Sequence, residues 1–310
     1  MLEIYETNQY GKLNEIRDIR EGCWINLRTP TPEEIKRASK MTGVDEQDIM
    51  LGLDSEEKAH ISTEDDYTIV VVDVPIKDSD GKHEFITIPL EIIVSDKFIM
   101  TICIYSLDLI KDFVEEKVRG FYTSKRTRFI LQLLYKNVSY YLLYLRYIDR
   151  VSDKVEQELQ EDVKNEYLLY LLELEKSLVY FSIALRANEL VLEKLLRMDK
   201  IKQYQEDKQL LEDVIIENKQ AMEMASVYSS ILGETRDAFA SVISNNLNTV
   251  MQRLTSITIV LALPTMIFSL FGMNVPLPWM ESPMGLPYIM VISGVSVATG
   301  VAIMVWQKML

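Results

Sequence analysis

Apolar residues are concentrated in two stretches near the end of the chain, residues 254–273 and 287–306. Each is 20 residues long, and an α-helix of that length crosses ~30 Å of hydrocarbon. Neither stretch contains a charged side chain, which would be costly at that depth. The pattern therefore predicts two transmembrane helices, joined by a loop at residues 274–286.

Before these stretches, apolar residues recur at helical spacing over more than a hundred positions. Between residues 124 and 250 the sequence contains no proline and a single glycine, Gly233, so few positions would stop a helix. The pattern predicts three long helices, at about 124–162, 165–200 and 205–273. The third would be ~100 Å long, too long for one domain core, so we expect partner helices and an oligomer.

The first part of the chain has the shorter alternations of a mixed α/β domain. Apolar, β-branched runs predict at least three consecutive antiparallel strands. These runs are Tyr67–Pro75, Glu84–Pro89, Glu91–Val94 and Phe98–Ile104. Upstream, Thr31-Pro32 predicts a helix start, with threonine as the cap and proline at the first helical position. A second short helix is expected from Val44–Asp48.

The fold class expected from these patterns is an α/β domain followed by a long helical stalk and two C-terminal transmembrane helices. Seven segments follow from it. They are the cytoplasmic α/β domain (1–123), the cytoplasmic long helices (124–204), the stalk helix (205–253), transmembrane helix 1, expected to line a pore (254–273), the external loop (274–286), transmembrane helix 2 (287–306) and a cytoplasmic tail (307–310).

Charge orients the predicted membrane helices. The loop Val275–Leu286 contains Glu281 and no Lys or Arg, whereas Arg253 and Lys308 flank the helix pair. By the positive-inside rule, the loop lies outside and both termini lie in the cytoplasm. The opening residues from Met1 lack the basic and apolar regions of a signal peptide. We therefore expect a multi-pass protein of the cell (inner or plasma) membrane, in contact with the lipid bilayer.

Composition narrows the range of functions. The chain has 33 basic and 47 acidic residues, and the last sixty positions hold only Arg253, Lys308 and Glu281. The preceding 250 residues therefore carry 31 basic against 46 acidic side chains, which makes nucleic acid an improbable partner. Cys23 and Cys103 fit reduced thiols. No enzyme motif occurs, so we expect no catalytic residue, no enzymatic activity and no cofactor.

One face of the first membrane helix is weakly polar. Alternating steps of three and four residues define this face, here called the polar stripe. Its members are Asn248, Met251, Thr255, Thr258, Ala262, Thr265, Ser269 and Gly272. Small and hydroxyl residues favour close helix packing in membranes, which is one interpretation. The other is a pore wall whose uncharged oxygens bond the water shell of a divalent ion, and Mg²⁺, which dehydrates reluctantly, would suit it best.

Gly272-Met273-Asn274 closes the first of the two C-terminal spans, after a long helix and an acidic α/β domain. In this arrangement the chain resembles the CorA family of magnesium transporters. The resemblance implies a funnel-shaped homopentamer that passes Mg²⁺, and often Co²⁺ or Ni²⁺. It implies that Gly272, Met273 and Asn274 select the hydrated ion at the outer mouth. Thr265 and Asn248 would form polar pore rings, and Met251 and Leu254 the hydrophobic constriction.

The resemblance also implies closure by cytoplasmic Mg²⁺ bound between neighbouring protomers. Counting back from the tripeptide, the matching stalk position is Asp213, with Glu212 and Glu217 nearby. Carboxylates are suitable Mg²⁺ ligands, although a stalk helix also uses acidic residues as a solvated face. Mg²⁺ would thus be both substrate and regulatory ligand. In the outer loop Glu281 is the only carboxylate, and it could serve as an ion-attracting ring.

Two alternatives stay open. A zinc-transporting branch of the same superfamily shares the Gly-Met-Asn tripeptide, although the polar stripe has no His or Cys, the softer ligands that favour zinc. A membrane-anchored cytoplasmic scaffold or sensor, tethered by the two spans, is the second. It predicts that Thr265, Ser269 and Asn274 could be replaced by leucine without a change in ion flux.

Overall fold

The computed structural model describes residues 1–78, 83–161, 165–198, 204–273, 278 and 284–307. The chain divides into two compact units, Met1–Arg236 and Asp237–Leu310. The predicted fold class is confirmed: an α/β domain precedes long helices and two candidate C-terminal spans.

The first unit is built on a seven-stranded sheet. Its strands are β1 (Leu2–Thr7), β2 (Leu13–Glu15), β3 (Cys23–Arg28), β4 (His60–Thr63), β5 (Tyr67–Lys77), β6 (Phe85–Ser95) and β7 (Phe98–Cys103), and their order is β2-β1-β3-β7-β6-β5-β4. The β3–β7 pair is parallel, and the other pairs are antiparallel.

The three predicted consecutive strands are confirmed as β5, β6 and β7. The separation of Glu84–Pro89 from Glu91–Val94 was wrong, because both runs belong to the single strand β6. Pro89 stands opposite Asp73 in an unbroken register with β5, and Glu91 is the first β6 residue paired with β7. Since pairing with β7 starts beyond Pro89, its missing N–H removes no bond of that ladder.

Two short helices, α1 (Pro32–Thr42) and α2 (Glu46–Leu51), cover one face of the sheet. Both predicted starts are confirmed. Thr31 caps α1 in a capping box with Glu34, and Asp45 caps α2 by accepting from the Gln47 amide. Ile35 and Ile49 pack from these helices into the core of this face, where Ile49 is fully buried.

Aromatic side chains form a second cluster around Trp24. Its ring meets Phe113 of α3 (Asp108–Val114), Phe129 of α4 (Arg126–Glu161) and Phe121 in edge contacts at 5.2–6.5 Å between centroids. Trp24 Nε1 donates to Thr101 Oγ1 at 2.9 Å, so the buried indole N–H has a partner. This cluster joins the sheet to the first long helix.

The long helices α4, α5 (Asn165–Arg197) and α6 (Gln205–Phe271) match the three predicted ones within a few residues at each end. Asn188 of α5 bonds both backbone groups of Asp73, accepting from its N–H and donating to its carbonyl at 2.8 Å each. These bonds satisfy backbone groups of β5 beyond the reach of β4.

The second unit contains the end of α6 and the helix α7 (Gly285–Trp306). Both helices are long and apolar enough to cross a membrane, and little of the most apolar segment of either is buried within the chain. Leu263 Cδ1 lies 2.7 Å from the point where a Cβ on Gly300 would stand. The two helices therefore approach each other closely at a glycine, as membrane helices often do.

Candidate functional site

The end of α6 has one sheltered face. Its least exposed positions recur at helical spacing and are Gln252, Ser256, Val260, Leu263, Pro264, Ile267 and Phe271. Leu263 meets Gly300 of α7 from this face, and Ser256 is fully buried. The sheltered face is therefore the one that packs against α7.

The polar stripe lies on a different side of the same helix. Every one of its eight members is exposed in the single chain. At ~100° per residue, positions such as Thr258 and Thr265 fall roughly opposite Ser256. Packing of the stripe against α7 is thus not the reason for its small polar residues. The stripe is available to another copy of the chain or to water.

Three hydroxyls of the stripe share one geometry. Thr255, Thr258 and Thr265 each donate to the carbonyl four residues earlier, at 2.8, 2.8 and 2.9 Å. The hydroxyl protons are engaged by the helix, so the exposed oxygens offer lone pairs to the outside. A hydrated cation presents O–H groups outward, and lone pairs are what its water shell needs from a wall.

Pro264 lies inside α6 and has no N–H to donate to the carbonyl of Val260. A neighbouring hydroxyl such as that of Thr265 could donate to this carbonyl instead. The structure assigns its hydroxyl to Leu261 instead, so Thr265 does not compensate for the proline. Its side chain is free to serve as a member of the stripe.

The helix α6 ends just before the Gly-Met-Asn tripeptide. The Gly272 amide donates to Phe268 at 2.9 Å and the Met273 amide to Leu270 at 3.4 Å, and both residues are exposed. Asn274 and Glu281 lie outside the described residues, so the roles given to them stay predictions.

The candidate hydrophobic constriction lies at the start of the first membrane helix. Met251 and Leu254 are 55% and 59% exposed, although both are apolar. Asn248, one turn before Met251, is exposed as well. Exposed apolar side chains beside a polar stripe are expected where several copies of a helix meet around an axis.

The candidate regulatory residues Asp213, Glu212 and Glu217 lie on α6 within the first unit. Asp213 and Glu212 are exposed, Glu217 is half-buried, and Glu212 pairs with Lys208 at 3.6 Å. Across the part of the chain that the structure describes, no three His, Cys, Asp or Glu side chains form a group able to hold a metal.

Sequence reasoning missed the residues through which α6 packs against α7, and this packing decides which way the polar stripe faces. Ser256 on α6 and Ser293 on α7 are buried, and Gly300 allows the close approach of Leu263. Small residues at helical spacing were a usable signal for this packing.

These features define a membrane protein whose first C-terminal span carries an open polar face. A model of the CorA family, described as CorA-like Mg²⁺ transporter protein, matches residues 20–308. Since that match covers most of the sequence, the chain belongs to the CorA family.

Individual relatives agree with this assignment. The cobalt/magnesium transport protein CorA of Methanocaldococcus jannaschii is 28% identical over 286 residues, or 88% of this chain and 87% of the relative. The complete structure of the CorA magnesium transporter from that organism has a TM-score of 0.85 at 23% identity, with 98% of this chain and 96% of that one covered. The full-length CmaX protein gives 0.72 at 15% identity, with 96% and 97% covered. At these identities the two structures show the fold alone.

Proposed function

We propose that the chain is a divalent-cation channel that carries Mg²⁺, and also Co²⁺ or Ni²⁺, across the membrane. Membership of the CorA family supports the transport of divalent cations. The observation that carries the proposal is the position of the polar stripe, which is exposed and turned away from α7. Several copies around an axis would place rings of hydroxyl acceptors along a pore.

In this proposal the ion passes with its water shell. Mg²⁺ releases water reluctantly, so a wall of uncharged acceptors suits the hydrated ion better than a site of direct ligands. The stripe residues Thr255, Thr258 and Thr265 accept hydrogen bonds from that shell, since their own protons bond the helix. Gly272, Met273 and Asn274 form the outer mouth.

The channel is proposed to be a homopentamer with both termini in the cytoplasm of the cell. Apolar side chains that are at least half exposed continue along α6, for example Ile216, Ile231 and Leu247. Their burial between copies would supply the free energy for assembly. Cytoplasmic Mg²⁺ bound between protomers near Asp213 would favour the closed state.

A flux assay with a matched pair of variants tests the proposal. Thr265→Val in the stripe and Thr299→Val in α7 remove similar groups: both side chains are exposed, and both hydroxyls donate to the carbonyl four residues earlier. Mg²⁺ entry into proteoliposomes is followed with an enclosed magnesium-sensitive dye under an inside-negative potential. Asn274→Leu is measured in parallel as a test of the mouth.

Thr265→Val is expected to lower Mg²⁺ entry about tenfold, because each lost hydrogen bond is worth ~0.5–1.5 kcal/mol and several copies lose it together. Thr299→Val should match the wild type, and Asn274→Leu should abolish entry without loss of the oligomer. Equal flux in all four proteins would contradict the pore and favour a scaffold. Entry of Zn²⁺ with exclusion of Mg²⁺ would favour the zinc-transporting branch.

A further inference from the structure

Glu91 is a fully buried carboxyl group on β6. Its cross-strand neighbours are Val71 of β5 and Ile102 of β7. Both are fully buried members of the core beneath α1 and α2. An acidic residue in such surroundings is rare, and its ionised form is costly unless it is paired.

The carboxyl group has one hydrogen bond in the described part of the chain. The Gly52 amide, directly after α2, donates to Glu91 Oε2 at 2.7 Å. Glu91 Oε1 is buried without a partner among the described residues. A Cβ on Gly52 would lie 2.6 Å from the Glu91 Cβ, so the backbone approaches the sheet as closely as glycine allows.

Among the described residues, this bond is one of two polar attachments between α2 and the sheet. At the other end of the helix, Tyr67 of β5 donates its hydroxyl to Asp48 and accepts from the Asp45 amide. Ile49 packs between the two attachments and is fully buried. The six-residue helix α2 is therefore fixed at Tyr67 on one side and at Glu91 on the other.

The charged groups that face Glu91 are acidic. They are Asp48 on α2 and Glu57 in the segment after it. By register, Asp73 of β5 and His60 of β4 lie on the same sheet face, and His60 is 3.4 Å from Glu57. The pKa of Glu91 is raised to about 8, and burial is the largest cause. The negative charges of Asp48 and Glu57 raise it as well, whereas the hydrogen bond from the Gly52 amide lowers it.

We propose that Glu91 is a proton-operated latch that holds α2 on the sheet. With its proton, the buried carboxyl group is neutral and keeps the Gly52 bond at little cost. Without it, a charge is buried next to Asp48 and Glu57 with one oxygen unpaired, so the docking of α2 weakens. The latch is independent of the proposed transport activity.

The direction of the pH effect follows from linkage. A carboxyl group whose pKa is raised in the docked state favours docking fully below its ordinary pKa of 4.5. The advantage is lost as pH rises, and the loss is complete once pH exceeds the docked-state pKa of about 8. Between pH 6 and pH 8, opening of α2 should therefore increase about 50-fold.

Hydrogen exchange of the full-length protein in lipid nanodiscs tests the latch. Exchange of a peptide that covers α2 and Gly52 is measured from pH 6 to pH 9, and each rate is divided by the intrinsic rate at that pH. The wild type should lose protection by about 50-fold between pH 6 and pH 8. Glu91→Gln keeps an acceptor for Gly52 without an ionisable group, so its protection should stay constant.

Glu56→Gln is the matched control, because it makes the same chemical change at an exposed position in the next segment. It should follow the wild type. A wild-type protection that does not change with pH, or a parallel loss in Glu91→Gln, would overturn the latch. If Glu91→Gln does not accumulate, the wild-type profile decides: loss confined to α2 and Gly52 supports the latch, and uniform loss across the sheet overturns it.

Discussion

The two units of this chain differ in how much of their large apolar side chains they bury. In the first unit, large residues such as Trp24 and Phe129 are fully buried by contacts within the chain. In the second unit, most large apolar residues of both helices are exposed, for example Leu261 and Val291 at 65% and 63%. The first unit contains its own core, whereas the second leaves most of its apolar surface to be covered from outside the chain.

Two threonines show the same difference at the level of one hydroxyl. Thr101 is buried in the first unit, where it accepts from Trp24 at 2.9 Å and donates to Asn26 at 3.1 Å. Thr265 in the second unit donates to Leu261, and its outward lone pairs remain available. A hydroxyl that both donates and accepts a hydrogen bond within the chain stabilises the fold. A hydroxyl that only donates within the chain, on an exposed face, can accept a hydrogen bond from an external ligand.

The largest expected effect compares two phenylalanines. Phe129→Ala removes a fully buried ring from the Trp24 cluster, so it should lower the free energy of unfolding of the first unit by about 3–5 kcal/mol. Phe268→Ala removes a ring that is 45% exposed, and it should leave that free energy unchanged. Urea denaturation followed by Trp24 fluorescence, in a Trp279→Phe, Trp306→Phe background, measures both.

If the comparison holds, the stability of an oligomer in detergent should depend on Phe268, which does not affect the unfolding of the first unit. Phe268→Ala is then expected to alter oligomer stability in detergent, because Phe268 finds its contacts outside the chain. Equal losses from both substitutions in the urea experiment would mean that the second unit contributes to the core of the first. The division into a complete and an incomplete unit would then be wrong.

A smaller effect is expected at two glycines. A Cβ on Gly52 would meet the Glu91 Cβ at 2.6 Å and the backbone oxygen of Ile102 at 3.1 Å, and neither can move easily. On Gly300 it would meet only the terminal Cδ1 of Leu263 at 2.7 Å, which can change rotamer. Gly52→Ala should therefore destabilise its unit by about 1–3 kcal/mol, and Gly300→Ala by less than ~1 kcal/mol.

Thermal unfolding of the first unit and detergent stability of the oligomer give these two values. Leu263→Ala combined with Gly300→Ala serves as the control, since it removes the atom that the new methyl group would meet. Destabilisation by Gly300→Ala that the second change does not relieve would indicate that the helix backbones, rather than one side chain, limit their approach.

The elements that could be predicted from sequence depend on local patterns. Apolar residues at helical spacing, over a long interval with few helix-stopping residues, predicted α4, α5 and α6. Thr31 and Asp45 marked the starts of α1 and α2 through caps that act within three residues. The strands β5–β7 were readable because each is a continuous apolar run joined by short connections.

Elements that depend on distant partners could not be predicted in this way. The strand β3 runs parallel to β7, about 75 positions later in the chain, and nothing local signals that pairing. The polar stripe was visible from its spacing, but the direction in which it faces relative to α7 depends on helix packing at Ser256, Ser293 and Gly300. The roles predicted for Asp213, Glu212 and Glu217 depend on partners that no local pattern in the sequence identifies, so they stay predictions.

The smallest effect concerns a glutamate whose pH dependence is opposite to that of Glu91. Glu34 accepts from the Met1 amino group and the Thr31 amide at 2.9 Å each and from the Leu2 amide at 3.1 Å. The pKa of Glu34 lies below its ordinary value of 4.5, because the Met1 amino group and, to a smaller extent, the Thr31 amide bond its ionised form. Its contribution to stability is therefore present above that value and is lost as pH falls through the lowered pKa.

Glu34→Gln should destabilise the first unit by at most about 1 kcal/mol at pH 7, since the group is partly exposed and solvent screens its charge. The difference from the wild type should shrink as pH falls through the lowered pKa, because Glu34 also becomes neutral there. Thermal unfolding over a series of pH values from 7 downward measures it. A difference that stays constant to the acid end of the series would show that the shape of the side chain, rather than its charge, holds the first strand to α1. In that case the pH dependence of the unit would come from buried carboxyl groups such as Glu91, whose effect has the opposite sign.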